Sequence, residues 1–190
     1  MMQIVVERLS KAYGGRSVLQ GVSFTLREGI TCIMAPSGAG KTTLLQILLG
    51  LEQPDAGRVT MPEDCRWGVV FQEDRLLEQL DAMGNLRFVL GGALDETAAR
   101  EILSELGLGD VGEKAVRDYS GGMKRRLALA RALLVSADAV VLDEPFTGLD
   151  EENRRRCLDC IQEAAREKPV LLVTHDPADA EALGATVIRL

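Results

Sequence analysis

The segment Ala35-Pro36-Ser37-Gly38-Ala39-Gly40-Lys41-Thr42-Thr43 sets glycines, a lysine and two hydroxyls between a short apolar run, Ile30 to Met34, and a helical stretch, Lys41 to Leu49. This composition suits a phosphate group. Glycines let the backbone turn tightly and aim successive N–H groups at phosphate oxygens, the helix start adds its dipole, and Lys41 neutralises β- and γ-phosphate charge. The Thr42 hydroxyl would coordinate Mg²⁺. The strict pattern G-x-x-x-x-G-K-[ST] fails at its first position, Ala35, where alanine costs little unless that residue needs a positive φ. A second set follows at Ala139-Val140-Val141-Leu142-Asp143-Glu144, an apolar run ending in two acids. Such a strand delivers carboxylates at the sheet edge where α/β folds bind ligands. Neighbouring strand side chains point to opposite faces, so the two acids are expected to differ in role. Asp143 would support Mg²⁺, and Glu144 would orient or deprotonate an attacking water. A strand can also simply end in charges, but after a phosphate loop that becomes the minor reading.

These groups need a frame. Gln3 to Glu7 and Val22 to Leu26 read as two antiparallel strands around a Tyr13-Gly14-Gly15 turn. Further on, Ile30 to Met34, Trp67 to Phe71, Ala139 to Leu142, Val170 to Val173 and Thr186 to Leu190 are short apolar runs with the character of strands buried on both faces. Helical patterns at Glu96 to Leu106, Met123 to Val135 and Glu151 to Glu167 separate most of them. Strands alternating with helices predict an α/β core with a parallel sheet. The interval from about 73 to 117 holds helical patterns without a clear strand and is a candidate helical subdomain within one 190-residue domain.

Composition narrows the classes. The formal charge is −7, from 22 basic and 29 acidic residues, which disfavours a broad nucleic-acid footprint because backbone affinity needs dense Lys and Arg. No apolar stretch approaches the ~20 residues of a membrane span, and the opening residues lack a signal-peptide core, so a cytoplasmic location is expected. Of the cysteines Cys32, Cys65, Cys157 and Cys160, only the last two have ligand-like spacing; they read as small side chains of a reduced protein.

Tyr119-Ser120-Gly121-Gly122-Met123, a helix upstream of the acidic strand, resembles the signature of ATP-binding cassette (ABC) ATPases. The resemblance covers nearly the whole chain. In family order it takes in Tyr13, the phosphate loop, Gln72, the signature, Asp143-Glu144, Gly148-Leu149-Asp150 and His175, the only histidine. It implies a P-loop NTPase core with a parallel sheet, an N-terminal antiparallel β subdomain and an inserted helical subdomain. By the same resemblance ATP and Mg²⁺ are the cofactors, and Ala35 through Thr43 hold the phosphates while Tyr13 stacks on adenine. Thr42, Gln72 and Asp143 would serve the metal, with Glu144, His175 and Gln72 catalytic. Ser120, Gly121 and Gly122 would cap the γ-phosphate held by a second copy in a head-to-tail dimer, and Asp150 would work across that interface. Two positions depart from the usual signature, Tyr119 for Leu and Met123 for Gln, and activity is expected to survive both. The chain's end soon after His175 leads to the expectation that no regulatory tail follows.

Gln72-Glu73-Asp74-Arg75-Leu76-Leu77 and Gly84-Asn85-Leu86 resemble importer ATPases of the nitrate, sulfonate and taurine type. Those relatives usually have Pro-Trp where this chain has Glu78-Gln79, so no substrate is carried over. The implied partners are a second ATPase subunit, transmembrane permease subunits and a substrate-binding protein, with no nucleic acid and a place on the inner face of the cell membrane. Leu76, Leu77, Leu80 and Met83 either form a groove for membrane-subunit helices or pack within the subdomain. A soluble ABC ATPase acting on chromosomes or ribosomes is the competing function; the interval from Lys41 to Ser120 is too short for a long coiled coil, and one cassette is present.

Overall fold

Two sheets of different kind set the architecture. The computed structural model describes residues 3–36 and 38–190. β1 (Ile4–Tyr13) and β2 (Arg16–Leu26) form an antiparallel hairpin through Gly14 and Gly15, both at positive φ. β1 also pairs antiparallel with β4 (Ala56–Thr60), giving a three-stranded sheet in the order β2-β1-β4. The hairpin is longer than the apolar runs predict, because its outer half is held by strand pairing, with Tyr13 opposite Arg16, rather than by burial.

The second sheet is parallel, in the order β5-β6-β7-β3-β8. Its strands are β3 (Gly29–Met34), β5 (Trp67–Val70), β6 (Ala139–Asp143), β7 (Pro169–Thr174) and β8 (Thr186–Arg189). The double-sided burial expected of all five strands holds fully for the inner strands β6 and β7, whereas the edge strand β8 is largely exposed and the edge strand β5 half-buried, because each has a neighbour on one side only. Val140 and Leu142 of β6 join one core with Val170 and Leu172, whereas Ala139 and Val141 join a second core with Leu171 and Val173. The second core is closed by α1 (Lys41–Leu48) and the antiparallel sheet. The first is closed by α2 (Ala82–Leu90), α3 (Glu96–Glu105), α4 (Gly121–Leu134) and α5 (Glu151–Ala164). Only helical elements lie between β5 and α4; they share the first core with the sheet through Leu86, Leu103, Leu106 and Leu108. A short α6 (Pro177–Ala182) follows β7.

Helix starts follow local chemistry. Asp81, Asp95, Ser120, Asp150 and Asp176 each accept a backbone N–H of the first turn, which fixes where α2 through α6 begin. The four cysteines are free, and burial pushes the thiols of Cys157 and Cys160 up to about 12 and that of Cys32 to about 11, so they sit as small, unreactive side chains. Among the described residues no helix is long and apolar enough to cross a membrane.

Candidate active site

Four strands of the parallel sheet end on the same edge, and each delivers one part of the site. The phosphate loop follows β3, Gln72 lies just past β5, Asp143 ends β6 with Glu144 directly after it, and His175 follows β7. A cleft of about 350 Å³ gathers Gly38, Gly40, Lys41, Thr42, Thr43, Gln72, Asp143 and Glu144. Gly40 sits at φ 92, and a Cβ there would lie 2.8 Å from the Val18 carbonyl oxygen, so only glycine lets the loop pass this close to β2. Ala35, in contrast, is not among the described non-glycine residues with positive φ, so alanine occupies that position without strain. Lys41 Nζ donates to the Ala35 carbonyl at 2.6 Å, bending the ammonium back over its own loop.

Tyr13, Ala35, Pro36 and Ala39 do not line this cleft. Tyr13 is half exposed at the end of β1, where its hydroxyl donates to Glu52 Oε2 at 3.2 Å and Lys11 Nζ lies 5.3 Å from the ring centre. Ala39 faces a groove between β2 and β8 instead. Ser37 lies outside the described residues.

The acid pair is separated differently from what strand alternation predicts. β6 ends at Asp143, and Glu144 turns into the left-handed region at φ 50. A non-glycine residue there costs roughly 1–2 kcal/mol and is held by its surroundings. The Glu144 N–H donates to the Val173 carbonyl at 2.8 Å, and its own carbonyl accepts from Arg125 Nη2 at 2.8 Å. Asp143 is buried, and burial, followed by the charge of Glu144, holds its carboxyl above the usual range against the opposing pull of Arg125 and Lys41.

His175 Nδ1 lies 2.9 Å from Glu144 Oε1. A carboxylate only accepts, so the ring donates from Nδ1, and the bond and charge of Glu144 raise the His175 pKa above its usual value. A histidine raised in the folded state gives stability that is fully present below about pH 6.5 and is lost as pH climbs through the folded value. Because the ring is solvent-exposed, salt screens this pairing. His175 is the only histidine, so its ring protons are unambiguous in a proton NMR titration. The midpoint is expected above that of a model peptide and should fall back in Glu144→Gln; an unmoved midpoint would separate the two residues in solution.

A larger groove of about 780 Å³ adjoins the first and shares Gln72 and Glu144 with it. Its walls include His175, Asp150 and Ser120, Gly121 and Gly122, the last three absent from the Lys41 cleft. Ser120 caps α4 through its hydroxyl, which accepts from the Met123 N–H at 3.2 Å, so the exposed Ser120 and Gly121 stand at a helix N-terminus. A Cβ on Gly122 would lie 3.2 Å from the Gly148 carbonyl, which explains a small residue beneath the loop carrying Asp150. Asp150 spends its carboxylate on the Asn153 N–H and side-chain amide, and those bonds hold its pKa low.

The ABC transporter family profile matches residues 19–147, which contain the phosphate loop, Gln72, the signature and the acid pair. The chain belongs to the ABC transporter family. As an ABC ATPase it is similar to the aliphatic sulfonates import ATP-binding protein SsuB 1 of Nocardia farcinica, 40% identical across 98% of this chain and 77% of that protein. It is also similar to the taurine import ATP-binding protein TauB of Pseudomonas fluorescens, 36% identical across 100% of this chain and 78% of that one. Among solved ABC structures, one titled the ATP binding subunit of an ABC transporter superposes with TM-score 0.88 at 25% identity, covering 100% of this chain and 86% of its own. A bacterial ABC transporter cassette solved as a dimer superposes at 0.85 with 27% identity, covering 98% and 94%.

Arg125 is the site residue that the sequence reading misses. It is 3% exposed, and its guanidinium reaches the ends of both β5 and β6.

Proposed function

We propose that this chain is the ATP-hydrolysing subunit of a transporter whose membrane-spanning part is a separate polypeptide, and that it powers the import of a small solute. One observation carries the reading: Lys41, Thr42, Gln72, Asp143 and Glu144 converge on one cleft at the carboxyl edge of a parallel sheet. The names of the relatives, aliphatic sulfonates and taurine, support a small sulfonate as cargo. The chain would work in the cytoplasm, peripheral to the inner face of the membrane, with permease subunits and a substrate-binding protein as partners.

The cleft suits a triphosphate and Mg²⁺. Glycine N–H groups and Lys41 meet the anion, while the Thr42 hydroxyl, the Gln72 amide and the buried Asp143 carboxylate are the hard oxygen donors that Mg²⁺ takes alongside phosphate and water. When bound, Mg²⁺ would offset the charge that gathers on the phosphates. Tyr13 offers a planar face for adenine. Glu144 is placed to take a proton from the attacking water, and His175, donating to one of its oxygens, leaves the other free for that role. Gln72 can both donate to and accept from the same water.

Two copies meeting head to tail would bring Ser120, Gly121 and Gly122 of each onto the nucleotide of the other, with Asp150 beside them; support comes from the placement of the signature outside the Lys41 cleft and from the dimeric neighbour. The segment at about 73–117 is then the part that meets the permease. Leu76 and Met83 pack on the core, whereas Phe88 and Val89 of α2 are 71% and 47% exposed. Replacing both with serine is expected to leave ATP turnover of the isolated chain within about twofold and to abolish co-purification with a permease from native membranes. Retained co-purification would remove α2 as the docking face, and recovery with ribosomes or DNA in place of a permease would overturn the transporter reading.

A further inference from the structure

β5 and β6 pair in parallel from Trp67 with Ala139 to Val70 with Leu142, and there the ladder stops. Beyond it, the carbonyls of Phe71, Asp143 and Glu144 need other donors. Arg125 supplies them. Its Nη1 donates to the Phe71 carbonyl at 2.5 Å and to Asp74 Oδ1 at 2.9 Å, its Nη2 to the Asp143 and Glu144 carbonyls at 2.6 and 2.8 Å, and its Nε to the Glu144 carbonyl at 3.2 Å. A guanidinium carries five N–H donors in a rigid plane, and here every nitrogen is used.

The same helix repeats the device. Arg131 donates to the Asp74 and Arg75 carbonyls at 2.8 and 2.6 Å. The described non-glycine residues with positive φ are Arg8, Arg75 and Glu144. Glu144 lines the cleft and Arg75 follows Gln72 by three residues, and each has its carbonyl pinned by an arginine of α4. Strained backbone persists only where its surroundings hold it, and α4 does the holding.

We propose that Arg125 is a positioning residue for ATP hydrolysis, fixing Glu144 and the loop that carries Gln72 from the helix that begins at Ser120. Its hydrogen bonds go to Phe71, Asp74, Asp143 and Glu144, and it does not line the Lys41 cleft. One rigid group thus ties the signature helix, which serves the partner's nucleotide, to the carboxylate and amide that serve the chain's own. The inference rests on the ATPase reading above.

Arg125→Lys keeps the charge and loses the planar fork. It is expected to keep KM for ATP within about threefold and to lower kcat roughly 10- to 100-fold, the scale of a misplaced reacting group. The His175 titration midpoint should drop toward an ordinary histidine as Glu144 leaves its place. A folded Arg125→Lys protein with kcat near wild type, with kcat and ATP affinity falling together, or with an unmoved His175 midpoint would overturn the proposal. Should that variant not fold, Asp74→Asn is the second test: it frees one edge of the fork, and the same kcat-selective loss is expected at roughly 3- to 10-fold, with a wild-type kcat overturning the proposal. A wild-type chain that hydrolyses no ATP would instead refute the functional reading, and the His175 midpoint would then decide the role of Arg125 by itself.

Discussion

Glu144→Gln is expected to bind ATP as tightly as the parent, to hydrolyse it roughly 10²- to 10⁴-fold more slowly, and to accumulate as an ATP-dependent dimer. The substitution is nearly isosteric, so the left-handed turn at φ 50 and the backbone bonds to Val173 and Arg125 remain. What disappears is the negative charge and the ability to accept a proton from water. Under the proposed function, binding falls to the loop from Gly38 to Thr43, whereas the Glu144 side chain bonds His175, so affinity and turnover are expected to separate. In the proposed head-to-tail dimer, nucleotide would be shared between the phosphate loop of one copy and Ser120 to Gly122 of the other, so blocking hydrolysis should prolong it. Single-turnover hydrolysis and light scattering with and without ATP and Mg²⁺ check both halves. Turnover near wild type would remove Glu144 from the general-base role.

The same residue shows where sequence reading stops. That Asp143 and Glu144 would be set apart was legible from their adjacency at the end of an apolar run, but the mechanism of their separation was not. Alternation along a strand presumes that the strand continues, whereas β6 ends one residue earlier and Glu144 is turned by tertiary bonds. The groups that converge at the sheet edge were readable because their chemistry is written in their types: glycines beside a lysine, paired acids, a histidine after a strand. Groups that act on the protein itself were not. The helical pattern Met123 to Val135 singles out neither Arg125 nor Arg126, yet both are buried. A signal existed in the spacing, since Arg125 shares a face with Leu129 and Ala132 at i+4 and i+7, both buried. β4 escaped for a related reason. Ala56–Thr60 contains one apolar branched residue and an exposed pattern, and it is a strand because β1 offers it partners, Val59 against Val6 and Thr60 against Val5. The short α6 did carry a local mark, Asp176 before Pro177, a cap followed by proline at the first helical position.

Lys41→Ala tests the other half of the site, and its largest effect is expected on binding rather than on turnover. Charge-assisted hydrogen bonds are each worth about 1.5–3 kcal/mol, so losing the ammonium should weaken ATP roughly 10- to 150-fold. The structure raises a complication: Lys41 Nζ also bonds the Ala35 carbonyl at 2.6 Å, so the variant leaves a loop carbonyl to water and the loop itself could shift. Thermal unfolding separates the two effects. At ATP equal to 100 times the parent's Kd, ligand binding stabilises the parent by about 2.7 kcal/mol. A variant with 100-fold weaker affinity gains only about 0.4 kcal/mol at the same concentration. Without nucleotide the two proteins should unfold within about 1 kcal/mol of each other, because the lost bond is only part-buried and a typical intramolecular hydrogen bond contributes about that much net. A loss of stability without nucleotide as large as the missing ATP effect would make Lys41 a structural strut of its loop. An undiminished ATP-dependent rise in melting temperature would contradict the phosphate cradle outright, since no other described cation lines that cleft.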